Sequence, residues 1–201
     1  PIRLHTENHI ITNNQEGIRI RNKRHRPRHE KDTDWKLGTW NCRSLRFDGY
    51  EYALLNELKP RNFDVVALQE MCWKGAKMWE DDALELTMYQ SGGAENKLGT
   101  GFIVLGKMRS RVIDWEPIDD RMCRLRIKGR FFNYHIFNVH CPHEESSDAE
   151  KEAFYAKLEQ KFDSCPQRDV KIVIGDMNAR IGREEMYKPV IGPNSLRQRP
   201  A

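Results

Sequence analysis

The 201-residue chain has no apolar run near the ~18 residues that a membrane-spanning helix requires. It also lacks a basic and then apolar start ending in a small-residue cleavage site, so no secretory leader is expected. The chain opens on Pro1, and the expectation is a fragment or a chain that has lost its initiator methionine. Cysteine is sparse: five residues, at 42, 72, 123, 141 and 165, with no C-x-x-C pair. Neither a disulfide framework nor a structural zinc site fits an odd, scattered set, and reduced thiols in an intracellular setting are expected. Apolar residues make up 38% and charged residues 32%. Ordinary domains run at roughly 45–50% and ~25%, so this chain is polar. Its length suffices for one domain with a core, not two. There is no internal repeat and no low-complexity segment.

What the chain does have is charge in one place. Residues 1–36 hold nine Lys/Arg and five Asp/Glu, while residues 37–201 hold 25 of each, so the whole net charge of +4 sits at the front. Arg19, Arg21, Lys23, Arg24, Arg26 and Arg28 carry it, in a stretch without periodicity. Residues 1–34 therefore read as a basic, disordered tail, and a basic arm can neutralise phosphates and strengthen nucleic-acid binding without reading sequence. Composition alone favours the plainer reading, a solvated leader with no ligand. His25 and His29 fall in this tail and read as solvated.

From Asp34 the texture changes. Residues 35–41 alternate apolar and polar, as a half-buried strand does. Tyr50, Ala53, Leu54 and Leu58 have helical spacing before Pro60. The run Asp64-Val65-Val66-Ala67-Leu68-Gln69-Glu70 predicts a buried strand that delivers Glu70 at its end. Further strands are expected at 87–91, 101–105, 111–117, 122–127 and 131–140. Ser147 and Glu150 are spaced as a capping box for a helix to about Phe162, with Ala149, Ala153, Ala156 and Phe162 among its apolar positions. Residues 170–176 form the last expected strand.

Three of these strands end in residues that chemistry uses: Asn41, then Glu70, then Asp176 with Asn178. Open α/β sheets bind ligands at the rim where strands end. Carboxylates there, without neighbouring Lys or Arg, need hydrogen bonds or a metal, and an oxygen-only set suits Mg²⁺. Taken singly, each is more often a turn former or helix cap.

Taken together, Thr39-Trp40-Asn41-Cys42-Arg43-Ser44-Leu45, Leu68-Gln69-Glu70, Gly99-Thr100-Gly101-Phe102, Asn138-Val139-His140-Cys141-Pro142 and Gly175-Asp176-Met177-Asn178 resemble the endonuclease/exonuclease/phosphatase superfamily. The branch resembled is that of non-LTR retrotransposon endonucleases and craniofacial development proteins. The resemblance implies a two-sheet α/β sandwich of the DNase I type over residues 35–182, with an irregular end at 183–201. It implies Mg²⁺-dependent phosphodiester hydrolysis on DNA, with Mn²⁺ as an alternative ion and a nuclear setting. Glu70 looks like the principal metal ligand, with Asn41 a metal-site residue directly or through water. Asp176 looks like the group that activates water, and Asn178 like a donor to the scissile phosphate. His140 stands where many members have tyrosine and is expected to donate to a phosphate oxygen. The superfamily ends in a Ser-Asp-His element, and residues 182–201 contain neither aspartate nor histidine. The resemblance therefore implies a truncated sandwich, inactive or weak by itself, whose incomplete sheet could take a protein partner. The runner-up reading is a non-catalytic descendant that binds nucleic acid or protein.

Other candidates carry plainer readings. His135, His140, Cys141 and His143 are close in sequence, but along a strand His135 and His143 are roughly 26 Å apart and do not converge on zinc. Trp73, Trp79 and Trp115 could stack on bases, though core packing is the commoner use. Arg43, two residues past Asn41, is suited to forking onto a substrate phosphate.

Overall fold

The computed structural model describes the backbone of Arg3–Thr6 and residues 34–179 in full. The expected tail over residues 7–33 and the irregular end lie outside the described residues. At Arg3–Thr6 the chain forms a strand, β1, where the sequence shows no strand pattern. The remaining strands are β2 (Lys36–Asn41), β3 (Val65–Gln69), β4 (Ala76–Asp81), β5 (Leu86–Ser91), β6 (Thr100–Leu105), β7 (Val112–Pro117), β8 (Met122–Ile127), β9 (Tyr134–His140) and β10 (Val170–Asp176). The helices are α1 (Tyr50–Leu58) and α2 (Asp148–Asp163).

The strands form two sheets. The six-stranded sheet runs β1-β2-β3-β6-β5-β4, and the four-stranded sheet runs β10-β9-β8-β7. β1, β2 and β3 are parallel, and so are β9 and β10; every other pairing is antiparallel. Leu37, Val65, Ala67, Phe102 and Val104 of one sheet pack against Cys123, Leu125, Ile127, Ile136 and Ile174 of the other. Strand alternation produces this: every second residue faces the opposite sheet, and its burial drives closure of the sandwich. The α/β sandwich expected from sequence is thus the observed architecture.

α1 covers the outer face of the larger sheet through Leu54 and Leu58, beside Phe63, Val66, Leu68 and Ile103. α2 covers the outer face of the smaller one through Phe154, with Leu158 and Phe162, against Phe137, Val139 and Cys165. The alanines read as part of its apolar face, Ala149, Ala153 and Ala156, point to solvent. Larger side chains bury more area per position, so they set the helix rotation. Ser147 caps α2 by accepting the Glu150 N–H at 3.2 Å. The return half of the capping box is replaced: the Glu150 carboxylate pairs with Arg121.

β4 is a further element that the sequence reading does not contain. Its residues are mostly exposed on both sides, so it shows neither alternation nor an apolar run. β10 lies at the edge of its sheet among the described residues, and only Ile174 along it is fully buried.

Candidate active site

β2 and β3 are parallel, and in their register Asn41 lies beside Gln69, the residue before Glu70. β9 and β10 are parallel, and their last pair is His140 beside Asp176. Each sheet thus delivers polar residues at the ends of two parallel strands, and sandwich closure brings both ends to one rim. Asn41 joins the sheets there. Its Nδ2 donates to Glu70 Oε1 at 2.7 Å and to Asp176 Oδ2 at 2.9 Å. Its Oδ1 accepts the Arg43 N–H at 3.0 Å.

The chain bends sharply at the rim. Glu70 (φ 53°), Arg43 (φ 49°), Ser44 (φ 89°) and Asn178 (φ 45°) all have left-handed backbones. Side chains other than glycine adopt that conformation only at a cost, and such residues cluster at functional sites. Backbone bonds hold the bends in place: Ser44 N–H donates to the Glu70 carbonyl at 2.8 Å and Leu45 N–H to the Met71 carbonyl at 3.1 Å. Gly175 (φ 142°) lets β10 approach β9, since a Cβ there would meet the Val139 carbonyl oxygen at 2.0 Å.

His140 is 1% exposed, and its Nε2 lies 3.6 Å from Glu70 Oε1. Burial pushes its imidazole below the ordinary range, against the pull of Glu70 and Asp176. The ring is therefore neutral at neutral pH. Neither ring nitrogen has a hydrogen-bond partner among the described residues. One ligand atom each from Glu70, His140 and Asp176 lies within 4.8 Å of the others, the set among the described residues able to hold a metal ion. Two carboxylates beside a neutral, unsatisfied imidazole form a donor set that suits a divalent cation.

The remaining expected site residues fall around this centre. Asn178 follows Asp176; its N–H donates to Asp176 Oδ1 at 3.0 Å, and its Nδ2 donates to the Cys141 carbonyl at 2.7 Å. One Nδ2 hydrogen has no acceptor among the described residues. Arg43 is exposed beside Asn41 and pairs with no carboxylate among the described residues. Burial first, then Glu70 and Cys72, push the thiol of Cys42, next to Asn41, up to about 12, which disfavours the thiolate.

The histidines grouped in sequence part company in space. His135 sits at the opposite end of β9, where its Nε2 meets Asp169 Oδ2 at 3.2 Å and its Nδ1 meets Cys165 Sγ at 3.3 Å. His143 lies edge-on to His140, with ring centroids 6.1 Å apart. The tryptophans take packing roles: Trp73 Nε1–H donates to the Leu45 carbonyl at 3.0 Å, Trp79 packs outside the larger sheet, and Trp115 packs on Tyr89.

A buried polar bridge beneath the rim is absent from the sequence reading. Gln69 Nε2 donates to Asn138 Oδ1 at 2.6 Å, and Asn138 Nδ2 donates to the Leu68 and Gly101 carbonyls at 2.8 and 2.7 Å. Thr39 Oγ1 donates to Gln69 Oε1 at 3.2 Å. The only local signal is an amide standing inside each of two apolar strands.

The model of the Endonuclease/Exonuclease/phosphatase family matches residues 38–199. The chain belongs to that family. Among curated family relatives it is similar to Craniofacial development protein 2 of Bos taurus, at 29% identity over 154 residues, which is 76% of this chain and 26% of the relative. The chain thus spans about a quarter of the length of this relative and of its counterpart in Tragulus javanicus. The family fold recurs in an AP endonuclease from Archaeoglobus fulgidus (TM-score 0.53, 20% identity, 72% of this chain and 57% of that one). It recurs in the 3′ phosphatase NExo from Neisseria bound to a product DNA hairpin (TM-score 0.54, 20% identity, 72% and 58%). No helix among the described residues is long and apolar enough to cross a membrane.

Proposed function

We propose that this chain is a divalent-cation-dependent phosphodiester hydrolase domain that acts on the DNA backbone, is weak over residues 1–201 alone, and descends from a retrotransposon-type endonuclease. The observation that carries the reading is the Asn41 amide, which bridges Glu70 and Asp176 from different sheets beside the unsatisfied His140. The family solves the same fold with DNA-processing members, and the motif Thr39–Leu45 supports the retrotransposon-type branch. A nuclear setting, as the resemblance implies, is part of the proposal.

Glu70, with Asp176 and His140, would hold the cation. When bound, the cation supplies Lewis acidity toward a phosphate oxygen. With one Asp176 oxygen given to the cation, the other accepts a proton from the water that attacks phosphorus, while Asn41 and the Asn178 N–H orient the carboxylate; the scissile P–O bond breaks and the leaving oxygen takes up a solvent proton. The remaining Nδ2 hydrogen of Asn178 serves charge developing on the phosphate. Arg43 serves a neighbouring phosphate by its guanidinium fork.

Nicking of supercoiled plasmid tests this. Slow nicking that needs Mg²⁺ or Mn²⁺ and falls at least about 100-fold in Glu70→Gln and in Asp176→Asn is expected. Nicking that survives both substitutions, or DNA binding with no cation-dependent cleavage at any enzyme concentration, rules the reading out.

A further inference from the structure

β9 carries two buried histidines five positions apart, and their surroundings differ. His135 is satisfied at both nitrogens, by Asp169 and by Cys165. His140 is just as buried, at 1% exposure, and satisfied at neither. Native structures rarely leave a buried polar side chain without any partner, and an exception calls for an unseen water or ion.

The neighbours of His140 cannot supply the partner. The two Nδ2 hydrogens of Asn41 go to Glu70 and Asp176. Arg121 directs Nη1 to the His140 carbonyl and Nη2 to Glu150. The Cys141 thiol points to Met177. What does face the ring is carboxylate oxygen: Nε2 is 3.6 Å from Glu70 Oε1, too long for a hydrogen bond. That separation suits two ligands of one cation, because bonds of roughly 2.0–2.3 Å put donor pairs roughly 3–4.5 Å apart. The three donor atoms of Glu70, His140 and Asp176 all lie within 4.8 Å of one another.

We propose that His140 is a direct nitrogen ligand, so that Glu70, Asp176 and His140 form a mixed oxygen and nitrogen set that selects a transition-series dication such as Mn²⁺ over Mg²⁺. The inference rests on the cation-dependent reading above and deepens it, by giving His140 to the cation rather than to a phosphate. Mg²⁺ holds oxygen ligands and its own waters, whereas imidazole nitrogen suits the transition dications. The two carboxylates keep the set hard enough for Mn²⁺.

The test uses the full chain with Mn²⁺ and Mg²⁺ as probes, and reads binding rather than turnover. Calorimetry should show Mn²⁺ binding more tightly than Mg²⁺, by a margin that narrows in His140→Gln. Pulsed EPR of the Mn²⁺-bound protein should show coupling to an imidazole nitrogen, with the pattern changing when histidine is ¹⁵N-labelled. His140→Gln should abolish that coupling and weaken Mn²⁺ about 10–100-fold, with little change for Mg²⁺. Bound Mn²⁺ without nitrogen coupling in the unmodified protein overturns the inference, with no need for a variant that folds. Coupling that persists in a folded His140→Gln protein overturns it too. Cation-dependent nicking together with no nitrogen coupling removes the inference and leaves the proposed function in place. Nitrogen coupling without any DNA cleavage upholds the inference and removes the proposed function.

Discussion

Gln69 and Asn138 meet side chain to side chain at 2.6 Å across the interior of the sandwich, 69 residues apart in sequence. One directly precedes Glu70 and the other stands two positions before His140. The bridge therefore sets the spacing between the two sheets immediately beneath the residues that converge at the rim. Asn138→Leu should leave Gln69 and the Leu68 and Gly101 carbonyls without their partner. The expected loss is about 2–4 kcal/mol by chemical denaturation, since several buried groups are stranded together. An unchanged midpoint would show that the bridge is not needed for closure.

Asn41 separates two carboxylates by donating to both. Asn41→Asp should replace a donor by a third acceptor and bring three anionic groups together. In EDTA its melting temperature should fall by several degrees below that of the unmodified chain. Added Mn²⁺ should recover most of the loss by binding the folded state alone. Equal melting of the two proteins in EDTA would remove the bridging role.

Gly175 carries φ 142° and faces the Val139 carbonyl, which an added Cβ would meet at 2.0 Å. Gly175→Ala should force β10 away from β9 just before Asp176. A loss of about 2 kcal/mol or more is expected, from strain and overpacking together. Hydrogen exchange should speed up along 170–176 more than along β2. Native-like protection of β10 would refute the close approach.

The far end of β9 predicts acid sensitivity. Burial pushes His135 below its ordinary range, with Arg124 and Arg126 adding to the effect and Asp169 opposing it. Burial also works to raise Asp169, but His135, Arg126 and the Asn133 N–H outweigh it and hold the carboxyl low. Both groups thus bind protons less readily folded than unfolded. Their stabilisation is complete above the unfolded values of 6.5 and 3.8 and is lost as pH falls below each. Melting temperature should drop in two stages, first below about pH 6.5 and again below about pH 4. Asp169→Asn should remove the second stage; a flat profile down to pH 5 would contradict the first.

The rim was readable because a polar residue ending an apolar run is a local pattern. Asn41, Glu70 and Asp176 each end one, and the runs themselves marked β2, β3 and β10. β4 left no such mark, since an edge strand wet on both faces has no hydrophobic periodicity. Alanine spacing fits a helix whichever face is buried, so it does not set the rotation of α2; Phe154, Leu158 and Phe162 do, and of these Phe162 alone is among the apolar positions named from sequence. The Gln69–Asn138 bridge and the convergence of His140 on Glu70 are relations of register between strands about 70 residues apart, and no local window contains them.

The Asn41–Asp176 bond spans 135 positions of chain. During synthesis, the first member of the cluster leaves the ribosome long before the last. At roughly 5–20 residues per second, that interval lasts on the order of ten seconds. Throughout it, Asn41, and Glu70 once it has emerged, lack the Asp176 partner that only β10 brings to the smaller sheet. Contacts of such long range also slow the final closure once the chain is free. The rim is thus chemically silent until β10 has emerged, and its assembly waits for that strand to take its place beside β9.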